Sequence, residues 1–479
     1  MFDVIARPHS RLFSIAAVLF LSACATRQES LPVPVELPAA FSSTGQPEAA
    51  DAWWQSFGDE QLNELVAQAL GGNLGLRVSY QRLRQARAVA DRQGAALLPS
   101  VDASAGAEQQ QSDTIDTTTF SAGLSASYEL DLWGRVQSLT EAEALRASAS
   151  LGDYQAAAVS LSGEIATSWF ELVEQRAQQA LAQSQLETNQ NVLTVIESRF
   201  GTGQSGSADV LRQRQLVSAS RERLSDIEGE IGILEHQLAV FLGRSPGRSD
   251  LPEENTLPML PPLPETGIPA ELVQRRPDLR QAWWLIQAAD RDLAAAISNR
   301  FPRLSIEASV NSQSNDAGDL FDDWLATLAG NLLVPLVDGG ERRAEVRRSR
   351  AVVEELVQEY GQAVLTAVQE VEDALVREQQ QQRRLESLED QVELADTTYR
   401  QLRNQYLNGA VNYLDVLTAL QDIQDLQRTR LTTRQQLLTT RVALYRALAG
   451  RIELAEPTSD AQSKSSANDT MGAEESTEG

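Results

Sequence analysis

The chain has 479 residues, with 41 Lys+Arg against 67 Asp+Glu and a formal net charge of −26. Phosphate backbones are held by clustered cations, so this balance excludes nucleic acid as the main partner. One cysteine, Cys24, and two histidines, His9 and His236, leave no intrachain disulfide and no His/Cys zinc set. Nothing in the sequence calls for a metal or a cofactor, and an envelope enzyme would have to be built around His236 alone.

Residues 1–23 have the pattern of a secretory signal. Arg7, His9 and Arg11 make a weakly basic start, and Leu12 to Leu21 is a short apolar run, below the ~20 residues that a bilayer span takes. The run ends in Leu21-Ser-Ala-Cys24, small residues before a cysteine, as in a bacterial lipoprotein. Cys24 is then the acylated mature N-terminus, and Ala25, where an aspartate would favour inner-membrane retention, points to the outer membrane. Each buried CH₂ of an acyl chain contributes about 0.8 kcal/mol, so several chains anchor firmly. Residues 24–51, with Pro32, Pro34, Pro38 and Pro47, predict an extended linker. At the other end, residues 451–479 are rich in Ser, Thr and acids and predict a disordered acidic tail.

Length alone suggests about three domains, but the body of the chain is one unit written twice. Phe200-x-x-Gly203 followed by Asp209-Val-Leu211 returns as Tyr406-x-x-Gly409 followed by Asp415-Val-Leu417, each landmark shifted by 206 residues. Tyr128-Glu-Leu-Asp-Leu-Trp-Gly134 returns as Leu333-Val-Pro-Leu-Val-Asp-Gly339. The repeats span 52–245 and 270–450. Between them, 246–269 is too rich in proline to be helix.

Each repeat opens with helical periodicity, over Glu60 to Gln93 and again over Ala270 to Arg300. The period then drops to two. Val101, Ala103, Ala105 and Ala107 alternate with polar residues, as do Phe120, Ala122, Leu124, Ala126, Tyr128 and Leu130, giving a hairpin over 99–131. Leu304, Ile306, Ala308 and Val310 and the stretch Trp324 to Val334 predict its counterpart over 302–335. Strands of about ten residues with one apolar face suit a membrane β-barrel; hairpins packed on a soluble core are the alternative. Long helices follow, predicted over 136–199 and 209–242 in the first repeat and 342–405 and 411–449 in the second. Roughly 64 residues at about 1.5 Å each make a rod of about 95 Å, and such helices pack as coiled coils. Four strands leave open edges, which lipid does not tolerate. Two chains would close eight strands and three would close twelve; counting does not choose.

These residues resemble the TolC-like outer-membrane efflux proteins, and among them the NodT-type lipoproteins. The resemblance is carried by Leu-Ser-Ala-Cys24, Trp53-Trp54-x-x-Phe57-x-Asp59, Leu98-Pro99, Glu129-Leu-Asp-Leu-Trp133-Gly-Arg135, Pro335-Leu-Val-Asp-Gly-Gly340 and Tyr413-Leu-Asp415-Val-Leu417. It implies a mixed α and membrane β fold: a homotrimer with a 12-strand outer-membrane barrel continued by a periplasmic helical barrel. It implies a passive exit duct without catalysis, partnered by an inner-membrane pump and a periplasmic adaptor that docks at the tip turns around Gly203 and Gly409. It also implies a gate at the periplasmic tip, formed here by Asp209, Tyr406 and Asp415, with a Tyr406–Asp209 hydrogen bond in the closed-state lock. This sequence departs from the family pattern twice: a second acid of the gate is replaced by Thr418, and an arginine by Val411. Asp422, two turns beyond Asp415, is the candidate for a second acidic ring. Simple helix capping by Asp209 and Asp415 is the plainer reading of those two acids. The competing function is a structural or adhesive lipoprotein whose rods are spacers.

Overall fold

A computed structural model of the chain describes residues 35–45, 50–112, 114, 116–247, 251–448, 452 and 454. The signal, Cys24, most of the N-terminal linker and nearly all of the acidic tail lie outside the described residues. A 3-10 helix, Ala50–Phe57, leads into α1 (Glu60–Gly72) and α2 (Leu74–Gly94). The hairpin β1 (Ser100–Gln111) and β2 (Asp116–Leu130) follows, then α3 (Arg135–Gly201) and α4 (Ser207–Phe241). The second repeat supplies α5 (Pro269–Arg275), α6 (Pro277–Ser298), β3 (Arg303–Ser314), β4 (Leu325–Leu333), α7 (Glu341–Leu407) and α8 (Tyr413–Leu448).

The four strands form one antiparallel sheet in the order β1-β2-β3-β4, so the two repeats join through β2 and β3. Register carries the sequence alternation across the whole sheet. Val101 sits opposite Ala126, Ala126 opposite Ala308, and Ala308 opposite Leu328; the next row is Asp102, Ser125, Ser309 and Thr327. Directly paired residues share a face, so one face is apolar and the other mostly polar, with Leu325 and Leu333 of β4 as its large apolar exceptions. The apolar face is uncovered, with Val101 at 69% and Leu328 at 78% exposure. Hairpins folded onto a soluble core would bury these side chains.

Strand passes into helix by the same device in both repeats. Arg135 forks onto the Glu129 carboxylate (2.7 and 3.1 Å), and Asp131 accepts from the Gln137 backbone N–H at 2.8 Å. In the second repeat Asp338 accepts from Gly340 N–H (2.9 Å) and from Arg342 (3.2 Å). Trp133 stacks on Phe301 with ring centroids 4.9 Å apart and donates to the Pro302 carbonyl at 2.7 Å, while 43% of it stays exposed. Trp324, beside β4, is exposed.

α3 and α7 each run 67 residues, about 100 Å. Gly152 lies inside α3 without breaking it. A Cβ there would stand 2.8 Å from Gln281 Cβ and 3.0 Å from the Pro277 carbonyl, so glycine lets α6 pack close. About halfway down α3 lies the largest apolar core, around Trp53, Phe57, Trp169, Phe170 and Tyr445. Asp59 closes it: one carboxylate oxygen caps α1 at Leu62 N–H (2.9 Å) and the other accepts from Trp169 Nε1 (2.7 Å). A second core joins Phe41 to Leu279, Tyr360, Val364 and Leu444. Trp283 packs beside Tyr360 (5.7 Å), and Trp284 lies under the Arg280 guanidinium (4.9 Å).

The proline-rich connection is extended and is stitched down by an arginine from each repeat. Arg176 donates to the Pro252 carbonyl and pairs with Glu235 (2.9 Å). Arg441, 1% exposed, forks onto Glu378 (2.6 and 2.8 Å) and donates to the Pro262 carbonyl (2.6 Å). The irregular N-terminal segment 35–45 runs beside this connection: Thr266 Oγ1 donates to the Ser43 carbonyl (2.9 Å), and Ser42 N–H to Glu372 (2.9 Å).

Candidate functional site at the helix tips

The long helices turn at two short loops, 202–206 and 408–412. Gly203 (φ 73°) and Gly409 (φ 75°) take the left-handed conformation that ends α3 and α7. A small apolar cluster ties the two turns together: Ile196 of α3, Val210 of α4, Tyr406 of α7, and Tyr413, Val416 and Leu417 of α8.

Asp209 is the third residue of α4 and caps its start, accepting from Gly206 N–H (3.3 Å) and Ser205 Oγ (3.1 Å), with Arg212 at 3.4 Å. Tyr406 is buried against Tyr413 (centroids 5.7 Å) and beneath the Arg199 guanidinium (4.8 Å). Its hydroxyl has no hydrogen-bond partner in the structure. The expected Tyr406–Asp209 bond is therefore not formed: capping engages the carboxylate, while ring packing holds the tyrosine. Asp415 lies in the first turn of α8 and is exposed, as are Thr418, Asp422 and Asp425. At intervals of three and four residues these four share one face of the helix.

Residues to which the sequence reading gave no role make the polar links at the tip. Tyr413, 4% exposed, donates to Gln213 Oε1, and Gln213 is fully buried. Gln213 Nε2 donates to the Asn189 carbonyl (2.7 Å). Asn189 accepts from Gln424 Nε2 (3.0 Å) and donates to Ser220 Oγ (2.8 Å). Burial first, and then neighbouring Tyr406 and Asp209, push the Tyr413 phenol above its usual range, so the hydroxyl stays a donor. Farther from the turns, Gln185 donates to the Gln424 carbonyl (3.2 Å), and Gln178 to the Arg428 carbonyl (3.0 Å). Burial and then nearby Arg223 lower the Arg428 pKa to about 10. The sign that sequence offered was polar residues standing in an apolar stripe, with Gln178, Gln185 and Asn189 on the same spacing as Ala182 and Ile196.

His236 is exposed on α4. Among the described residues no group of three or more His, Cys, Asp and Glu is placed to hold a metal ion. No described helix is long and apolar enough to cross a membrane.

A family model described as outer membrane efflux protein matches residues 65–244 and 268–450, one stretch for each repeat. The chain belongs to the outer membrane efflux protein family. Among its relatives is the pyoverdine export outer membrane protein OpmQ of Pseudomonas aeruginosa, 32% identical over 457 residues, covering 91% of this chain and 96% of OpmQ. Nodulation protein T of Rhizobium leguminosarum bv. trifolii is 27% identical over 419 residues, covering 84% of this chain and 89% of that protein. The solved outer-membrane channel OprN superposes with a TM-score of 0.81 at 28% identity, covering 88% of this chain and 98% of OprN. As an outer membrane efflux protein, the chain is a channel component located in the outer membrane and extending into the periplasm. The duplicated architecture read from sequence, with its coiled-coil helices and membrane β part, is the architecture of these channels.

Proposed function

We propose that three copies of this outer membrane efflux protein close into one duct, with twelve strands through the outer membrane and twelve long helices below. The observation that carries this reading is the four-stranded sheet. Its apolar face is bare, its other face is mostly polar apart from Leu325 and Leu333 of β4, and among the described residues β1 and β4 each have an open edge. In lipid such edges must be paired, and repetition around an axis pairs them. The polar face then lines the lumen and the apolar face meets lipid. Acyl chains on Cys24 add the anchor. Gly203 and Gly409 place the turns where a periplasmic adaptor docks, and an inner-membrane pump delivers small-molecule cargo. Asp209, Asp415 and Asp422 set the charge at the narrow end, where Tyr406 supplies packing. The assembly is a passive path with no reaction of its own.

The test is single-channel recording on the purified acylated protein in planar bilayers, alongside its mass in detergent. A trimeric mass and a small ohmic conductance are expected. Inserted, folded protein that passes no current, or that stays monomeric, would overturn the duct and leave a structural or adhesive lipoprotein.

A further inference from the structure

The two rims of the sheet differ in charge. The β3–β4 connection holds Asp316, Asp319, Asp322 and Asp323 and no Lys or Arg. At the other rim, where the strands meet the helices, carboxylates are already paired: Glu129 with Arg135, Asp338 with Arg342 and Glu345 with Arg348. Cations are left over there. Arg300, just before β3, and Arg343 and Arg347, in the first two turns of α7, are exposed and form no ion pair among the described residues. Four residues apart, Arg343 and Arg347 share a face of the helix. Glu341 and Glu345, each two residues from Arg343, lie about 200° round it. Bare apolar side chains stand between the sheet and these cations. Leu336 is 88% and Val337 94% exposed on the approach to α7, and Phe301, beside Arg300, is 44% exposed.

We propose that Arg300, Arg343 and Arg347 form a collar that binds the headgroups of anionic phospholipids in the periplasmic leaflet of the outer membrane. This rests on the duct reading above, in which the apolar face of the sheet meets lipid. Phe301, Leu336 and Val337 continue that surface to its edge, where acyl chains give way to headgroups. The headgroup zone adds about 5–7 Å beyond the hydrocarbon on each side. Arg347 lies about 6 Å along the helix from Arg343, and an arginine stem can lie along apolar surface while its guanidinium stays at the polar level. The planar fork takes two phosphate oxygens at once. With Glu341 and Glu345 turned away, the charge on this face is balanced from outside the chain. Phosphatidylglycerol brings a net negative charge to that balance. Phosphatidylethanolamine brings its own ammonium, so the collar sorts acidic from zwitterionic lipid.

The experiment places the full acylated protein in mixed vesicles of phosphatidylethanolamine and phosphatidylglycerol. Spin-labelled forms of each lipid then report which one the protein immobilises. One arginine at an anionic surface favours binding by about fivefold at most, so wild type is expected to prefer phosphatidylglycerol several-fold in dilute salt. The preference should fade at about 1 M salt, where the Debye length is about 3 Å. Arg300→Gln, Arg343→Gln and Arg347→Gln together should bring the two lipids near parity. A control with the same charge removed from the rods, Arg221→Gln, Arg383→Gln and Arg403→Gln, should keep the wild-type preference. If the collar triple variant fails to insert, the pair Arg343→Gln and Arg347→Gln decides the same point. Equal retention of both lipids by wild type would overturn the collar, as would a preference that the collar variants leave unchanged. A collar variant that loses trimeric mass yet keeps the preference would assign these arginines to a contact between copies and equally overturn it. Conductance and mass are read on the same material. Their absence in every inserted protein would overturn the duct, a result distinct from which lipid is retained.

Discussion

Arg441 has three acceptors and almost no water: the Glu378 carboxylate and the Pro261 and Pro262 carbonyls. Arg441→Ala would leave a buried carboxylate unpaired and two carbonyls without donors, at a cost of about 3–5 kcal/mol. Arg441→Lys should recover only part of this, because an ammonium cannot reproduce the planar fork. Both outcomes are read from the thermal midpoint of the purified protein. Glu171 has the opposite character. Burial first, and then the charges of Glu230 and Glu174, raise its pKa, so the folded state holds the proton more tightly than the unfolded chain. A group shifted in this way opposes folding above its folded pKa and ceases to do so as pH falls below its unfolded value, about 4.3. Glu171→Gln is therefore expected to raise the thermal midpoint at pH 7 and to leave it unchanged near pH 4. An equal gain at both pH values would mean that the glutamine packs better and that charge is not the cause.

Strand and helix differ in how much of their arrangement a one-dimensional pattern carries. Period-two alternation needs only one covered or lipid-facing side to fix register, because a one-residue slip turns every side chain over. The apolar rows were therefore legible at Val101, Leu124 and Ala308, and duplication told which strand repeats which. The same pattern supports a sharp test on neighbouring residues of β4. Leu328→Arg places a charge on the lipid side and should cost about 2–4 kcal/mol, seen as loss of folded protein from the outer membrane. Thr327→Arg, on the opposite face, should assemble at wild-type levels. The helices gave up less. Their lengths were readable, as the stretches 136–199 and 342–405 show, but which polar residues meet across α3, α4 and α8 depends on rotation and stagger. Asp209 and Tyr406 stood out because they recur with the repeat. Asn189 and Gln213 have no such echo, and their bonds exist only once three helices converge. The purpose of Gly152, letting α6 approach, likewise belongs to the packed structure.

Seen as an assembly, a duct of three chains multiplies every lumen-facing charge by three. Asp415, Asp422 and Asp425 lie exposed along one face of α8 near its turn, so in the proposed trimer threefold symmetry would convert each into a ring of carboxylates. Such rings attract cations and repel anions where the path is narrow. The attraction is screened over a Debye length of about 10 Å at 0.1 M salt and about 3 Å at 1 M. For a passage wider than a few ångströms, selectivity should therefore be strong in dilute salt and weak in concentrated salt. With a tenfold KCl gradient in the dilute range, the reversal potential of the wild-type protein is expected to favour potassium. Asp415→Asn combined with Asp422→Asn should move that potential toward zero by more than half, with little change when the gradient is set at high salt. The change should exceed that from Asp209→Asn, whose carboxylate is already engaged by Ser205 Oγ and Gly206 N–H. An unchanged reversal potential in the double variant would place the α8 face away from the ion path, and the barrel would then have to be built with its helices rotated from the arrangement proposed.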